Sequence, residues 1–319
     1  MRARRLLLAL VVLAASAALV PARAGGGAGD GSVLAFGGVA FRGSSEGRPL
    51  ASPLVGTAVT PDGGGYWLVA SDGGIFSYGN AGFFGSTGGT RLVQPIVDMA
   101  PTPDGGGYWL VAADGGVFAY GNARYFGSAA GVRLTRPIVG MAPTPDGGGY
   151  WLVASDGGIF SYGNAGFFGS TGGTQLRSPV VGMAPTGSGG GYWLAAADGG
   201  VFSYGDAPFH GSGVGQVPAG KVVLGFAAAR TASGYVLAMG PVAVVKGAFG
   251  PAVSDLQRRL NDLGYWTPVD GRFSEVTRQA VYALEKSAGL PRRGSVGPAE
   301  RQALENGVRP TPRTGFGHV

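Results

Sequence analysis

The sequence contains no cysteine and only two histidines, His210 and His318. The first absence excludes a disulfide framework, a thiolate metal site, a cysteine nucleophile and a lipid-bearing cysteine. The second leaves little material for imidazole-based metal or acid–base chemistry. No metal or organic cofactor is expected, and the composition leans toward a binding or structural protein. Charge is also sparse, at 13%, against 45% hydrophobic residues, so the chain is equipped to bury a core and reads poorly as disordered. What it has in excess is glycine. The 64 glycines and 21 prolines make up about 27% of 319 residues, a level that marks low complexity unless the glycines are regularly placed.

Long apolar runs are limited to Leu6–Val20. It follows the basic stretch Met1–Arg5 and precedes Ala22-Arg23-Ala24, a small-residue cleavage pattern. This order predicts a signal peptide over 1–24, cut after Ala24. The run is short for a span of about 20 residues, so export with no membrane span after cleavage is expected. Charge then divides by region. Residues 30–240 carry nine Lys/Arg against eleven Asp/Glu, a balance of −2, and residues 241–319 carry eleven against seven, a balance of +4. Export argues against a nucleic-acid partner. The basic C-terminal part suits an anionic wall polymer or surface, although +4 over 79 residues is mild and reads more simply as a solvated face.

The decisive feature is a period of 42 residues. Gly65-Tyr66-Trp67 recurs as Gly107-Tyr108-Trp109, Gly149-Tyr150-Trp151 and Gly191-Tyr192-Trp193, and an Asp-Gly pair recurs at Asp72, Asp114, Asp156 and Asp198. Asp30-Gly31 lies one period earlier, and Tyr235 lies 43 residues after Tyr192, past a one-residue insertion near Leu224. Each unit reads as four short strands separated by Asp-Gly, Gly-Gly and Gly-Asn turns, which permit positive φ. Four strands in about 40 residues is the pattern of a propeller blade. Four complete units (53–86, 95–128, 137–170, 179–212) are followed by two further strands near 222–228 and 234–239. They are preceded by two near 33–36 and 40–44. The halves complement one another, which predicts an all-β five-bladed propeller over 30–240 with a composite closing blade. An open solenoid is the alternative.

These units resemble the Gly-Tyr-Trp-Leu-Val-Ala-Ser-Asp-Gly-Gly repeats of exported bacterial cell-wall proteins. The resemblance implies a location and gives no ligand. Trp67, Trp109, Trp151 and Trp193 alternate within apolar strands and are read as core between blades rather than sugar platforms. Exposed aromatic candidates are instead sought at Phe84, Tyr125, Phe126 and Phe168. Asp62, Asp104 and Asp146 are read as turn residues. Two positions break the repeat. Asp98 stands where other units carry Gly56, Gly140, Gly182 and Gly225, and His210 replaces the Phe84-type residue. Asp98 raises the alternative of a propeller glycosidase. That chemistry needs two carboxylates, and only one irregular acid is found on these strands. Near-identical units favour a scaffold or multivalent surface.

After Met239 the pattern becomes helical. Val253, Leu256, Leu260 and Leu263 share one face between Pro251 and Gly264, and Val276, Ala280, Val281 and Leu284 share another in a helix that Ser274 opens and Gly289 ends. A short third helix covers about Pro298–Glu305. A small three-helix domain is predicted over 241–307, followed by a flexible tail at 308–319. The ordered set Leu256-Gln257, Leu263-Gly264-Tyr265, Asp270-Gly271-x-Phe273-Ser274, Thr277, Ala280-Val281, Gly289-Leu290 and Val296-Gly297-Pro298 resembles the peptidoglycan-binding domain found beside wall hydrolases and transpeptidases. It departs from that pattern at Leu284-Glu285 and Arg292-Arg293. The resemblance implies peptidoglycan or another cell-wall glycan as partner and a secreted, wall-associated location. The loop 264–273 offers the binding surface. Tyr265 and Trp266 would stack on a sugar or cover a peptide, and Asp270 and Arg272 would pair with polar or charged ends. Tyr265 and Phe273 as core, with Asp270 as a turn residue, is the competing reading. The expected protein is not an enzyme. It binds the wall through this domain, with the propeller as scaffold, ligand platform or seat of a protein partner. An accessory part of an L,D-transpeptidase, whose Cys/His site is absent here, is the alternative.

Overall fold

The computed structural model describes residues 18–19, 40–45, 50–218, 221–228, 234–241, 251–270 and 273–310. Nearly all of the leader, the strand expected at 33–36, Arg272 and the tail beyond residue 310 lie outside them.

Four three-stranded antiparallel sheets follow one another. They are β2 (Leu54–Val59), β3 (Gly65–Ala70) and β4 (Ile75–Gly79); β5 (Ile96–Pro101), β6 (Gly107–Ala112) and β7 (Val117–Gly121); β8 (Ile138–Pro143), β9 (Gly149–Ala154) and β10 (Ile159–Gly163); and β11 (Val180–Pro185), β12 (Gly191–Ala196) and β13 (Val201–Gly205). In each, the Gly-Tyr-Trp strand is central. A fifth sheet joins β14 (Lys221–Ala228) to β15 (Tyr235–Pro241) and to the two-residue strand β1 (Ala18–Leu19). The first strands of successive units lie side by side, β2 against β5, β5 against β8, β8 against β11 and β11 against β14, while β1 touches both β14 and β2. Among the described residues, no sheet closes on itself.

The units pack through a period-two code. Alternate residues of a strand face opposite sides of its sheet. Trp67 and Val69 therefore leave one side of β3 and meet Tyr108 and Leu110 from the opposite side of β6. Trp109 and Val111 meet Tyr150 and Leu152 in the same way, and Trp151 and Val153 meet Tyr192 and Leu194. Trp193 and Ala195 meet Phe226, Tyr235 and Leu237. Both faces are covered, so every residue of the four central strands is buried.

The expected fourth strand is corrected. Residues 82–86 and their equivalents form no strand and make no ladder. Gly85 has φ +136°, repeated at Gly127 (+134°) and Gly169 (+136°), a conformation that L side chains rarely adopt and that breaks strand geometry. Side chains hold the segment instead. Trp67 Nε1 donates to the Gly82 carbonyl at 2.7 Å within the unit. From the next unit, the Tyr108 hydroxyl donates to Gly85 O at 2.5 Å and accepts from Phe84 N at 3.2 Å. Tyr66, Tyr150, Tyr192 and Tyr235 make the same clasp on residues 42–43, 126–127, 168–169 and 210–211. The Asp-Gly turn shows why glycine is required there. Gly73 has φ +78°, and a Cβ on it would stand 1.7 Å from Thr87 Oγ1.

The C-terminal region is all helical: α1 (Pro251–Asp262), α2 (Glu275–Ser287) and α3 (Pro298–Glu305). Val253, Leu256, Leu260, Phe273, Ala280, Val281, Leu284, Val296, Ala303 and Leu304 form its core, joined by Tyr265. Ser274 stands at the N-cap of α2, as expected, but its hydroxyl makes no capping bond. Among the described residues, no helix is long and apolar enough to cross a membrane.

Candidate functional site

The loop between α1 and α2 is fixed from below by a buried polar network. Gln257 and Asn261, one helical turn apart on α1, reach into it. The Asn261 amide donates to Thr267 O and accepts from Thr267 N, both at 2.8 Å. Gln257 Nε2 donates to Thr277 Oγ1 at 3.1 Å and to Asp270 Oδ1 at 2.9 Å. The Thr267 and Thr277 hydroxyls share a hydrogen bond of 2.9 Å. Gln257, Thr267 and Thr277 are all buried, and a buried polar group left short of a partner is costly. Thr277→Val is therefore expected to destabilise this domain by about 1–3 kcal/mol. Urea unfolding followed by circular dichroism would show it.

Side chains alternate along the loop. Tyr265 points in and joins the core at 3% exposure, with its hydroxyl buried and without a hydrogen-bond partner. Its ring is not presented as a stacking surface. Trp266 points out and is 75% exposed, Thr267 returns to the network, and Val269 is again exposed. Asp270 is at the surface, tied to Gln257. Arg272 lies outside the described residues. Of the four residues singled out in the loop, Trp266 and Asp270 are thus exposed and Tyr265 belongs to the core.

The two departures from the family pattern are coupled. The Glu285 carboxylate accepts from Arg293 N at 2.9 Å and from Gly294 N at 2.8 Å, so it holds the Arg292-Arg293-Gly294 turn. Burial pushes its pKa up, opposed by those amides. The guanidinium groups of Arg292 and Arg278 lie 5.3 and 5.5 Å from the Tyr282 ring, forming a basic and aromatic face beside that turn.

In the repeats, the four tryptophans are buried and hydrogen-bonded, as core residues should be. Phe84, Phe126 and Phe168 are not the exposed aromatics. Each packs on the clasping tyrosine at a ring distance of 5.6 Å. The exposed set is Phe41, Phe83, Tyr125, Phe167 and Phe209, at 56–63% exposure. Strand-like alternation within Gly-Phe-Phe-Gly was the signal that could have separated the two. His210 occupies the packed register, its ring 5.6 Å from Tyr235.

Asp62, Asp104 and Asp146 are turn residues. Asp62 accepts from Thr60 Oγ1, Gly64 N and Asn80 Nδ2 at 2.6–3.0 Å, and these bonds, the Thr60 hydroxyl foremost, hold its pKa below the usual carboxylate value. The fourth unit exchanges the roles. Ser188 takes the aspartate position and Asp206 the asparagine position, so one carboxylate still joins the turn, receiving bonds from Thr186 and Ser188. Asp98 is 2% exposed, with Oδ1 receiving Met99 N at 2.8 Å and Oδ2 receiving Met141 N of the next unit at 3.1 Å. Among the described residues, no cluster of His, Asp or Glu could hold a metal ion.

Residues 249–304 match the family model described as "Putative peptidoglycan binding domain". The C-terminal region is a domain of that family, in agreement with the sequence resemblance. A curated relative, N-acetylmuramoyl-L-alanine amidase CwlL of Bacillus licheniformis, is 45% identical over 62 residues. That alignment covers 18% of this chain and 17% of the relative, so the chain spans about a sixth of the length of the amidase it matches. Among solved structures, an L,D-transpeptidase of Xylanimonas cellulosilytica is 49% identical over 24% of this chain and 37% of its own, with a TM-score of 0.22. The SleB N-terminal domain is 34% identical over 21% of this chain and 93% of its own, with a TM-score of 0.20.

Proposed function

We propose that this is an exported, cell-wall-associated protein that binds peptidoglycan through residues 249–304 and performs no catalysis. The observation that carries the reading is the family match on a domain whose loop presents Trp266 outward from a braced buried network. The CwlL relative, a muramoyl-alanine amidase by name, supports the wall as the setting. An exposed indole on a braced loop offers a large apolar face at little entropic cost, and Asp270 of the same loop places a carboxylate at the surface.

The repeat region in this reading closes as a five-bladed ring that serves as a platform. Residues 42–43 are clasped by Tyr66 as a fourth segment is clasped by the following unit, although no complete unit precedes them. β14 and β15 are the first two strands of a unit, packed on β11 and β12. Joining these parts completes a fifth blade. The two-residue β1 falls within the segment read as the leader, so cleavage after Ala24 would free the edge of β14 that β1 covers.

The test is co-sedimentation of the full chain with insoluble peptidoglycan. The unaltered protein is expected to pellet, and Trp266→Ala to weaken binding by about tenfold or more, the size of a buried aromatic anchor. No pelleting, or no effect of Trp266→Ala, would remove the basis of the reading.

A further inference from the structure

We infer that the repeat region carries its own glycan-binding surface, formed by Phe41, Phe83, Tyr125, Phe167 and Phe209. Its ligand would be the glycan strand of peptidoglycan. The choice of that polymer rests on the function proposed above; the site itself rests on the repeat geometry.

The five residues are spaced by 42, one per unit, and each is exposed; the next residue sets its ring on the clasping tyrosine at Phe84, Phe126, Phe168 and His210, and at Arg42 only its amide donates to that tyrosine. The fold gains little from an aromatic at such a position. Exposed sites normally tolerate substitution within about 0.5 kcal/mol, so packing does not account for five rings in five equivalent places. Each of the four segments that follow a complete unit is held at both ends, by the tryptophan of its own unit and by the tyrosine of the next. The rings are therefore presented on fixed backbone, which lowers the cost of ordering them in a complex.

Their arrangement indicates the ligand chemistry. A protein or lipid partner needs contiguous apolar surface. Here each ring stands one unit from the next, with glycine-rich chain between. Exposed amide–carboxylate pairs, Asn80 with Asp62, Asn122 with Asp104 and Asn164 with Asp146, lie in the turns leading into these segments. A single flat apolar face with hydrogen-bonding groups in the adjoining turn suits a pyranose, whose C–H face is apolar and whose rim carries hydroxyl and amide groups. A regular set of weak sites suits a polymer with its own repeat, because linked sites gain through effective concentration.

The experiment uses the full chain in two backgrounds, unaltered and Trp266→Ala, with and without serine at all five aromatic positions. The probes are intact peptidoglycan sacculi and glycan strands freed of stem peptides by amidase digestion. In the Trp266→Ala background, affinity for free strands is expected to rise with strand length, and the five serines to reduce it about tenfold or more. A single Phe83→Ser should cost about two- to threefold. Unchanged affinity in the five-serine protein, or no dependence on strand length, would overturn the proposal. Strand length is varied on protein retaining all five rings, so the test survives if the five-serine chain fails to fold. The two readings separate cleanly. If Trp266→Ala abolishes all binding and the serines change nothing, the wall-binding domain stands and this surface falls. If the serines alone abolish binding, the reverse holds.

Discussion

Trp151→Ala is expected to lower the stability of the repeat region by about 3–5 kcal/mol, the range for removing a fully buried aromatic side chain. Trp151 is wholly buried, and three kinds of interaction end on it. Its ring meets Tyr192 of the next unit edge-on at 5.8 Å, it shares a cluster with Leu194 across the same seam, and its Nε1 donates to Gly166 O at 2.6 Å. Alanine would leave a cavity at the seam and free the segment that the indole restrains. In a stacked array each unit contacts only its neighbours, so a broken seam also uncouples the units on either side. Unfolding should lose sharpness as well as midpoint. Urea titration of Trp151→Ala, with Trp266→Ala as the exposed counterpart, measures this. The exposed substitution should shift stability by no more than about 0.5 kcal/mol. A cost below about 1 kcal/mol for Trp151 would show that the seams are held by something else.

The second large effect concerns Asp98. Its carboxylate lies between two glycines of the neighbouring units: a Cβ on Gly140 would be in ordinary contact with Oδ2 at 3.4 Å, and one on Gly56 with Oδ1 at 3.6 Å. Burial pushes its pKa up to about 7, against the opposing pull of the Met141 and Met99 amides. A folded pKa above the unfolded value of 3.8 means that the native state holds the proton more tightly. The carboxyl's contribution is then fully present below about pH 4 and is lost as pH rises to about 7, a swing of about 4 kcal/mol at most. Asp98→Gly, which restores the residue of the other units, removes this dependence. The variant is expected to be more stable than the parent by about 1–3 kcal/mol at pH 8, after allowance for glycine entropy and the lost amide contacts. The advantage should shrink or reverse by pH 4. Thermal unfolding of both proteins from pH 4 to 8 reads it directly. A stability difference constant with pH would mean that the carboxylate is ionised throughout, held by its two amides.

Much of this architecture was legible because it repeats. A 42-residue period, a doubly apolar Tyr-Trp-Leu-Val strand and Asp-Gly turns specify stacked sheets before any coordinates. The fourth strand does not form, although an aromatic, glycine-flanked segment looks like a strand in sequence. The tyrosine clasp that replaces its ladder joins residues 23–24 apart in different units. No local pattern announces such a bond. Of the four expected exposed aromatics, Tyr125 is exposed while Phe84, Phe126 and Phe168 are packed, since the two adjacent aromatics differ only in parity. In the helical domain the core face was readable from heptad-like spacing. The role of Glu285 was not, because its partners are backbone amides eight and nine residues away. The exchange of Ser188 and Asp206 is visible only once the turn is seen to need a single carboxylate, whichever side supplies it.

The clasp gives the array a direction. Every complete unit offers a tyrosine backward and a segment without a strand ladder forward, and both ends of the exchange recur at the same two positions of the 42-residue period. An in-frame duplication or deletion of one period would therefore leave each remaining tyrosine with a segment to grasp and each tryptophan with a tyrosine to meet. Near-identical coding stretches are where such exchanges arise. The same bonds that hold this chain together make its length a heritable variable, restrained by whatever fixes the number of units in the assembled whole.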